Sequence, residues 1–228
     1  MKVQIFTLFP EITNNFLTSS ILGRALEKKI WQLEIIDIRD FGLGKHRQVD
    51  DYVYGGAAGM LMRPDVLGNA LEAKINFSNT KIFYPSPKGE ILTQQMAVYL
   101  AEEISQEESQ WKNIAFICGR FEGIDQRILD EYQIEEISIG QYVISNGDLA
   151  SCVILDTILR NIPGVLAEES LKNESFSCDK NSPFFAKKEC PQYTKPRIWK
   201  NREVPKILLS GNHQAIEDWR VSNTKTHL

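Results

Sequence analysis

SIGQYVISNGD, residues 138–148, holds two glycines, an Asn-Gly pair and apolar side chains between them. By local rules Asn-Gly is the strongest short signal for a β-hairpin turn. Glycine-bracketed main chain is also how a protein brings bare N–H and C=O groups against a ligand. Taken alone, the stretch fits either a turn between strands or a cradle for a cofactor.

The flanking segments decide between them. Residues 2–9 read as a buried strand, 20–30 (SILGRALEKKI) as an amphipathic helix and 33–38 (LEIIDI) as a second strand. Strands are expected at 81–84, 113–118 and 134–139, with helices at 93–104, 124–131 and 149–162, the last stopped by Pro163-Gly164. Strands alternating with helices predict an α/β fold on a mostly parallel sheet, whose ligand site lies beyond the carboxyl ends of the strands. Three glycine- or proline-marked loops follow predicted strands there: YPSPKG (84–89), CGRFEG (118–123) and SIGQYVISNG (138–147). Their common placement favours the cradle. The polar, glycine-rich run 39–60 is too long for an ordinary connection and reads as a functional loop. Beyond Val165 the pattern changes. Residues 167–189 are polar and aperiodic, a linker, and 190–228 form a small terminal unit in which Asn212 caps a helix carrying Ile216 and Trp219.

Composition narrows the class. The 228 residues carry a net charge of −4 and are 43% hydrophobic, enough for a sizeable core. The four cysteines (Cys118, Cys152, Cys178, Cys190) have neither disulfide-framework nor zinc spacing, which suits a reducing compartment. There is no signal-peptide pattern and no apolar run long enough to span a bilayer, so the expected location is cytoplasmic, away from membranes. His46, His213 and His227 lack metal-ligand spacing, and the fingerprints for dinucleotides and for phosphate-binding loops are missing. Against the acidic average, 187–206 hold seven Lys and Arg and two acids, a local balance of +5, with Tyr193 and Trp199 among them. Basic residues interleaved with aromatics suit RNA.

From FPE (9–11) and GRAL (23–26) through KHRQVDDYVYGGAAGMLM (45–62), YPSPKG, CGRFEGIDQR and SIGQYVISNGD to IPGV (162–165), NESF (173–176), CPQYTKP (190–196) and LLSGNH, the sequence resembles the bacterial tRNA (guanine-N1)-methyltransferases of the SPOUT class. The resemblance covers nearly the whole chain. It implies an S-adenosylmethionine-dependent enzyme acting on guanosine 37 of tRNA, a trefoil-knotted α/β domain over 1–166, a helical tRNA-binding domain over 190–228, a homodimer and a Mg²⁺ requirement; no metal site can be read from the residues themselves. Its cofactor loops map onto Tyr84, Pro85, Ser86 and Pro87, onto Gly119, Glu122 and Gly123, and onto Ser138, Ile139, Gly140, Gln141, Tyr142, Val143, Ile144 and Gly147. Arg160 matches the arginine set against charge building on guanine O6, and Glu174 the general base. RNA contacts are expected at Arg24, Lys45, His46, Asp50, Gly59, Arg120 and Lys195. The sequence departs from the family at Glu174, where Asp is usual, at Asn146, where a glycine is, and at Ala150, where a proline is. Glu169 and Asp179 are lower-ranked acids in the linker. The alternative is a non-catalytic RNA-binding relative of the same fold.

Overall fold

The computed structural model describes residues 1–56, 58–167, 170, 171, 174–180, 182, 185 and 187–226. The chain divides into two compact units, Met1–Leu166 and Ala167–Leu228.

The first unit is built on a five-stranded parallel sheet in the order β2-β1-β6-β5-β7. The strands are β1 (Lys2–Thr7), β2 (Gln32–Asp37), β5 (Thr80–Ile91), β6 (Asn113–Ile117) and β7 (Glu135–Ser138). Alternation along them splits the core in two. Val3 and Ile5, Phe83, and Ile114 and Phe116 point to one face, under α1 (Pro10–Leu17), α2 (Ser20–Glu27), α4 (Gln94–Ser105) and α6 (Gly147–Leu159). Phe6, Ile82, Ala115 and Ile117 point to the other, under α3 (Pro64–Lys74) and α5 (Gln126–Glu131). Both faces are covered, which is why the central strand β6 (NIAFI) reads as a near-continuous apolar run.

Several elements differ from the sequence expectation. The first strand ends at Thr7 because Pro10 opens α1; this helix buries only Thr13 and Leu17, too little apolar periodicity to show in sequence. The segment read as helix 20–30 ends at Glu27. A proline also opens α3, which carries Gly68 in its interior and was not expected. The long loop 39–60 contains a small antiparallel hairpin, β3 (Asp50–Tyr52) with β4 (Met60–Met62). YPSPKG is part of β5 rather than a loop beyond it. The ladder to β7 shifts register, with both Pro85 and Glu90 opposite Ile137. Pro85 and Pro87 have no N–H to offer, so the strand bulges where it cannot bond.

The second unit is mixed rather than purely helical. Around Glu174 the chain is pinned to the segment 187–189: Ser175 N–H donates to Glu189 Oε1 (2.8 Å), Glu189 N–H donates to Ser175 Oγ (3.0 Å), and Phe176 N–H donates to the Lys187 carbonyl (2.7 Å). Short strands β8 (Lys187–Lys188) and β11 (Lys225–Thr226) pair, as do β9 (Ile198–Trp199) and β10 (Arg202–Glu203). The final helix, α7 (His213–Ser222), is capped by Asn212, whose Oδ1 accepts the Ala215 N–H at 3.1 Å.

Candidate functional site

A cleft of ≈ 240 Å³ opens at the bulge of β5 and the carboxyl ends of β6 and β7. Three walls make it. The β5 bulge supplies Tyr84, Pro85, Ser86 and Pro87; the segment after β6 supplies Gly119, Arg120, Phe121, Glu122 and Gly123; the segment after β7 supplies Ile139, Tyr142, Val143, Ile144, Ser145, Asn146 and Gly147, with Ile137, Ser138 and Ala150 behind.

The stretch 138–148 is no hairpin. It leaves β7 and folds back over the end of β6. Ser138 Oγ and the main chain of Gly140 bond to each other at 3.0 and 3.2 Å. The Tyr142 hydroxyl donates to the Ile139 carbonyl at 3.2 Å. Asn146 turns the chain into α6 as its N-cap, accepting the Leu149 N–H at 3.3 Å. Asn-Gly does mark a turn here, but a helix follows it rather than a strand.

Close approach of main chain explains two of the glycines. Gly147 N–H donates to the Gly119 carbonyl at 2.9 Å, and a Cβ on Gly147 would stand 2.6 Å from Gly119 N. A Cβ on Gly119 would meet the Tyr84 ring at 2.6 Å. The floor is therefore bare backbone beside a tyrosine face. Burial, then the Glu136 carboxylate, push the Tyr84 hydroxyl above its ordinary value, so it stays neutral. Arg120 crosses the cleft to donate to the Ser145 carbonyl at 2.6 Å, with its guanidinium 5.4 Å from the Phe9 ring centre.

Directly under this floor lies a buried carboxylate. Asp148 is 2% exposed and accepts a hydrogen bond from the Thr7 hydroxyl, which in turn accepts the Phe9 N–H at 2.8 Å. Cys118 Sγ and Ser151 Oγ are 3.2 Å apart in the same cluster. Burial raises Asp148 above its ordinary value, against the Thr7 hydrogen bond. Burial, then the Asp148 charge, push the Cys118 thiol well up and the Cys152 thiol to about 12. Asp148 ties together the ends of β1 and β6 and the start of α6, the elements that carry the floor.

Of the expected cofactor residues, Gly140 and Gln141 do not line the cleft, and the rest do. Arg120, expected at RNA, lines it too, as do Phe121, Ile137, Ser145, Asn146 and Ala150. Ile137 lies in β7 and Ala150 in α6, whereas Arg120, Phe121, Ser145 and Asn146 belong to the same three loops, so their loop membership was the available signal. Asp148 had none, because an acid after Gly147 in sequence reads as ordinary first-turn helix chemistry.

The remaining expected residues are dispersed. Arg24 lies exposed on α2, its Nε donating to the Ser20 carbonyl at 3.4 Å. Lys45 and His46 are exposed ahead of β3, and Asp50 is half-buried within it. Gly59 sits against Glu122, whose Cγ a Cβ there would meet at 2.4 Å. Lys195 is exposed in the second unit. Arg160 is the half-buried C-cap of α6, thirteen residues past Gly147. At about 1.5 Å per residue that is roughly 20 Å of helix, so Arg160 and the cleft lie at opposite ends of α6. Glu174 is half-buried and Asp179 exposed in the second unit; Glu169 and His227 fall outside the described residues. Among the described residues no three His, Cys, Asp or Glu gather into a candidate cation site, and no helix is long and apolar enough to cross a membrane.

The family model described as tRNA (Guanine-1)-methyltransferase TrmD matches residues 1–227. Proteins named tRNA (guanine-N(1)-)-methyltransferase are similar over almost the whole chain. The one from Rickettsia typhi (strain ATCC VR-144 / Wilmington) is 47% identical, covering 99% of this chain and 93% of that protein. The one from Rickettsia akari (strain Hartford) is 45% identical with the same coverage, and the one from Rickettsia prowazekii (strain Madrid E) is 47% identical over 96% and 91%.

Proposed function

Because the chain belongs to the tRNA (guanine-1)-methyltransferase family, we propose that the cleft over Gly119 and Gly147 takes S-adenosylmethionine and that the methyl group goes to N1 of guanosine 37, beside the anticodon. Methylation of guanine N1 in tRNA follows from the family and from the relatives' names. The donor rests on the cleft's build, and position 37 on the family resemblance. A floor of glycine backbone offers donors and acceptors to the edge of an adenine ring, and Tyr142, Val143 and Ile144 offer it flat apolar surface. When bound, S-adenosylmethionine supplies an electrophilic methyl.

The protein's own work is proton and charge management. Guanine N1 carries a proton at neutral pH, and Glu174 is the general base that removes it. Arg160 faces O6, where negative charge builds as that proton leaves. The non-catalytic alternative has no finding in its favour.

Arg160's distance from the cleft supports a site shared between two copies. So does the outer face of α6, a helix otherwise packed into the core: Leu149 and Val153, at i and i+4, are 51% and 47% exposed. Phe16 on the neighbouring α1 is 44% exposed. This face suits a homodimer in which the partner's α6 brings its own C-terminal end over the cleft. The return of the chain from β7 onto Gly119 likewise suits a trefoil knot in the unit Met1–Leu166, with Ala167–Leu228 as a tRNA-binding unit. A tRNA substrate supports a cytoplasmic location.

The bond from Gly147 to Gly119, which closes the segment after β7 onto the segment after β6 to make the cleft floor, carries this reading. Incubation with methyl-labelled S-adenosylmethionine and tRNA carrying guanosine or adenosine at position 37 tests it. Label enters only the guanosine tRNA; equal label in both overturns the position, and none in either overturns the donor.

A further inference from the structure

The most exposed aromatic rings among the described residues are Tyr54 at 94% and Tyr52 at 81%. They stand on the hairpin that the sequence showed only as a long polar loop. Tyr52 ends β3, the half-buried Val53 separates it from Tyr54, and Gly55 and Gly56 follow with open space where a Cβ would stand, so these glycines do not shield the rings. A bare ring of that size in water forfeits most of its burial energy, which marks a surface waiting for a partner.

The hairpin is anchored to the cleft. Tyr52 pairs with Met60, and the Met60 carbonyl accepts the N–H of Glu122, a lining residue, at 3.0 Å. Met62 N–H donates to the Gly123 carbonyl at 3.0 Å. Arg63 holds the base of the hairpin, donating to Asp51 at 2.8 Å. Tyr52 is thus one ladder rung from the wall of the cleft, and Tyr54 follows it two residues on.

We infer that Tyr52 and Tyr54 are a stacking platform for the tRNA bases that flank the target guanosine; this rests on the tRNA methyltransferase reading above. A base must leave its stack to be methylated, which costs a few kcal/mol in lost stacking. Its neighbours are left with an uncovered face, and an aromatic ring beside the cleft replaces what they lost. Such stacking accepts any base, so it grips the loop without reading its sequence. The occupant is RNA rather than a second copy, because the tRNA must come to this cleft to react. The exposed Lys45 and His46 just ahead of β3 add phosphate partners on the same segment.

The test compares wild type with Tyr52→Ala/Tyr54→Ala and Tyr52→Phe/Tyr54→Phe, reading KM for tRNA, KM for S-adenosylmethionine and sedimentation velocity. The Ala pair raises the tRNA KM by about five- to 100-fold, with the other two readouts unchanged. The Phe pair, which keeps the rings, stays near wild type. An unchanged tRNA KM in the Ala pair, or an equal loss in the Phe pair, overturns the platform. So does a loss that follows dissociation into a smaller species, which assigns the rings to a contact between copies. Wild type that methylates no guanosine-containing tRNA overturns the methyltransferase reading itself; active wild type with an unaffected Ala pair overturns the platform alone.

Discussion

Glu174 differs from the usual family residue by one methylene, and that difference sets its test. The added length moves the carboxylate by about a bond, and about 1 Å of misplacement can cost 10²-fold when a group must reach a reacting proton. The pinning of Ser175 and Phe176 against 187–189 fixes the main chain next to it. Glu174→Gln keeps size and loses the base. Its turnover should fall by about 10²–10⁴-fold while S-adenosylmethionine still binds, by calorimetry. Turnover near wild type removes Glu174 from the role and turns attention to Asp179. Asp148 invites a different measurement. Its folded value lies above the ordinary carboxylate value near ~4, so between the two the folded chain holds more protons than the unfolded one. Stability therefore falls as pH rises through that window and is flat above it. Asp148→Asn removes this dependence. Urea midpoints taken from about pH 4 upward should show the variant gaining on wild type across the window and holding a constant difference beyond it.

At the scale of elements, the cleft depends on a crossing of two main chains. Gly147→Ala puts a methyl 2.6 Å from Gly119 N, where backbone rather than a flexible side chain must yield. We expect a loss of about 1–3 kcal/mol in a thermal melt and weaker cofactor binding, because the displaced segment is the floor itself. The regular elements were readable where periodicity was strong, as in β1, β6 and α6. They were unreadable where the signal was thin or the punctuation misleading. The prolines of YPSPKG read as the end of a strand, yet β5 continues past them by skipping bonds. The hairpin of β3 and β4 has only three residues a side, too short for a pattern. Loop residues such as Tyr142 and Gly119 were legible through the common placement of three marked loops after strands and through family resemblance, since no local rule sends an Asn-Gly stretch to a ligand. Arg160's remoteness from the cleft was already implicit in the expected helix 149–162, which follows the loop 138–147 and ends beside Arg160.

For the whole molecule, that remoteness predicts complementation between defective copies. Ile144→Arg fills the cleft and Arg160→Ala removes the cation; each alone should be inactive. Mixed and allowed to exchange subunits, they form some dimers in which an intact cleft faces an intact Arg160, and methylation of tRNA returns in part. Continued silence after verified exchange argues for a site complete within one chain. Leu149→Arg should separate the copies in sedimentation and abolish turnover while leaving the fold of each unit intact, as read by circular dichroism.

The thiol beneath the cleft carries a practical consequence. Alkylating reagents and mild oxidants attack the thiolate, and Cys118, 1% exposed and pushed well up by burial, scarcely forms one. Native protein treated with a maleimide should remain unlabelled at Cys118 and Cys152 by mass spectrometry and label there once urea is added. Electrophilic warheads are thus poorly suited to this pocket despite the sulfur in its foundation, and inhibitors against it must hold by shape and hydrogen bonding alone.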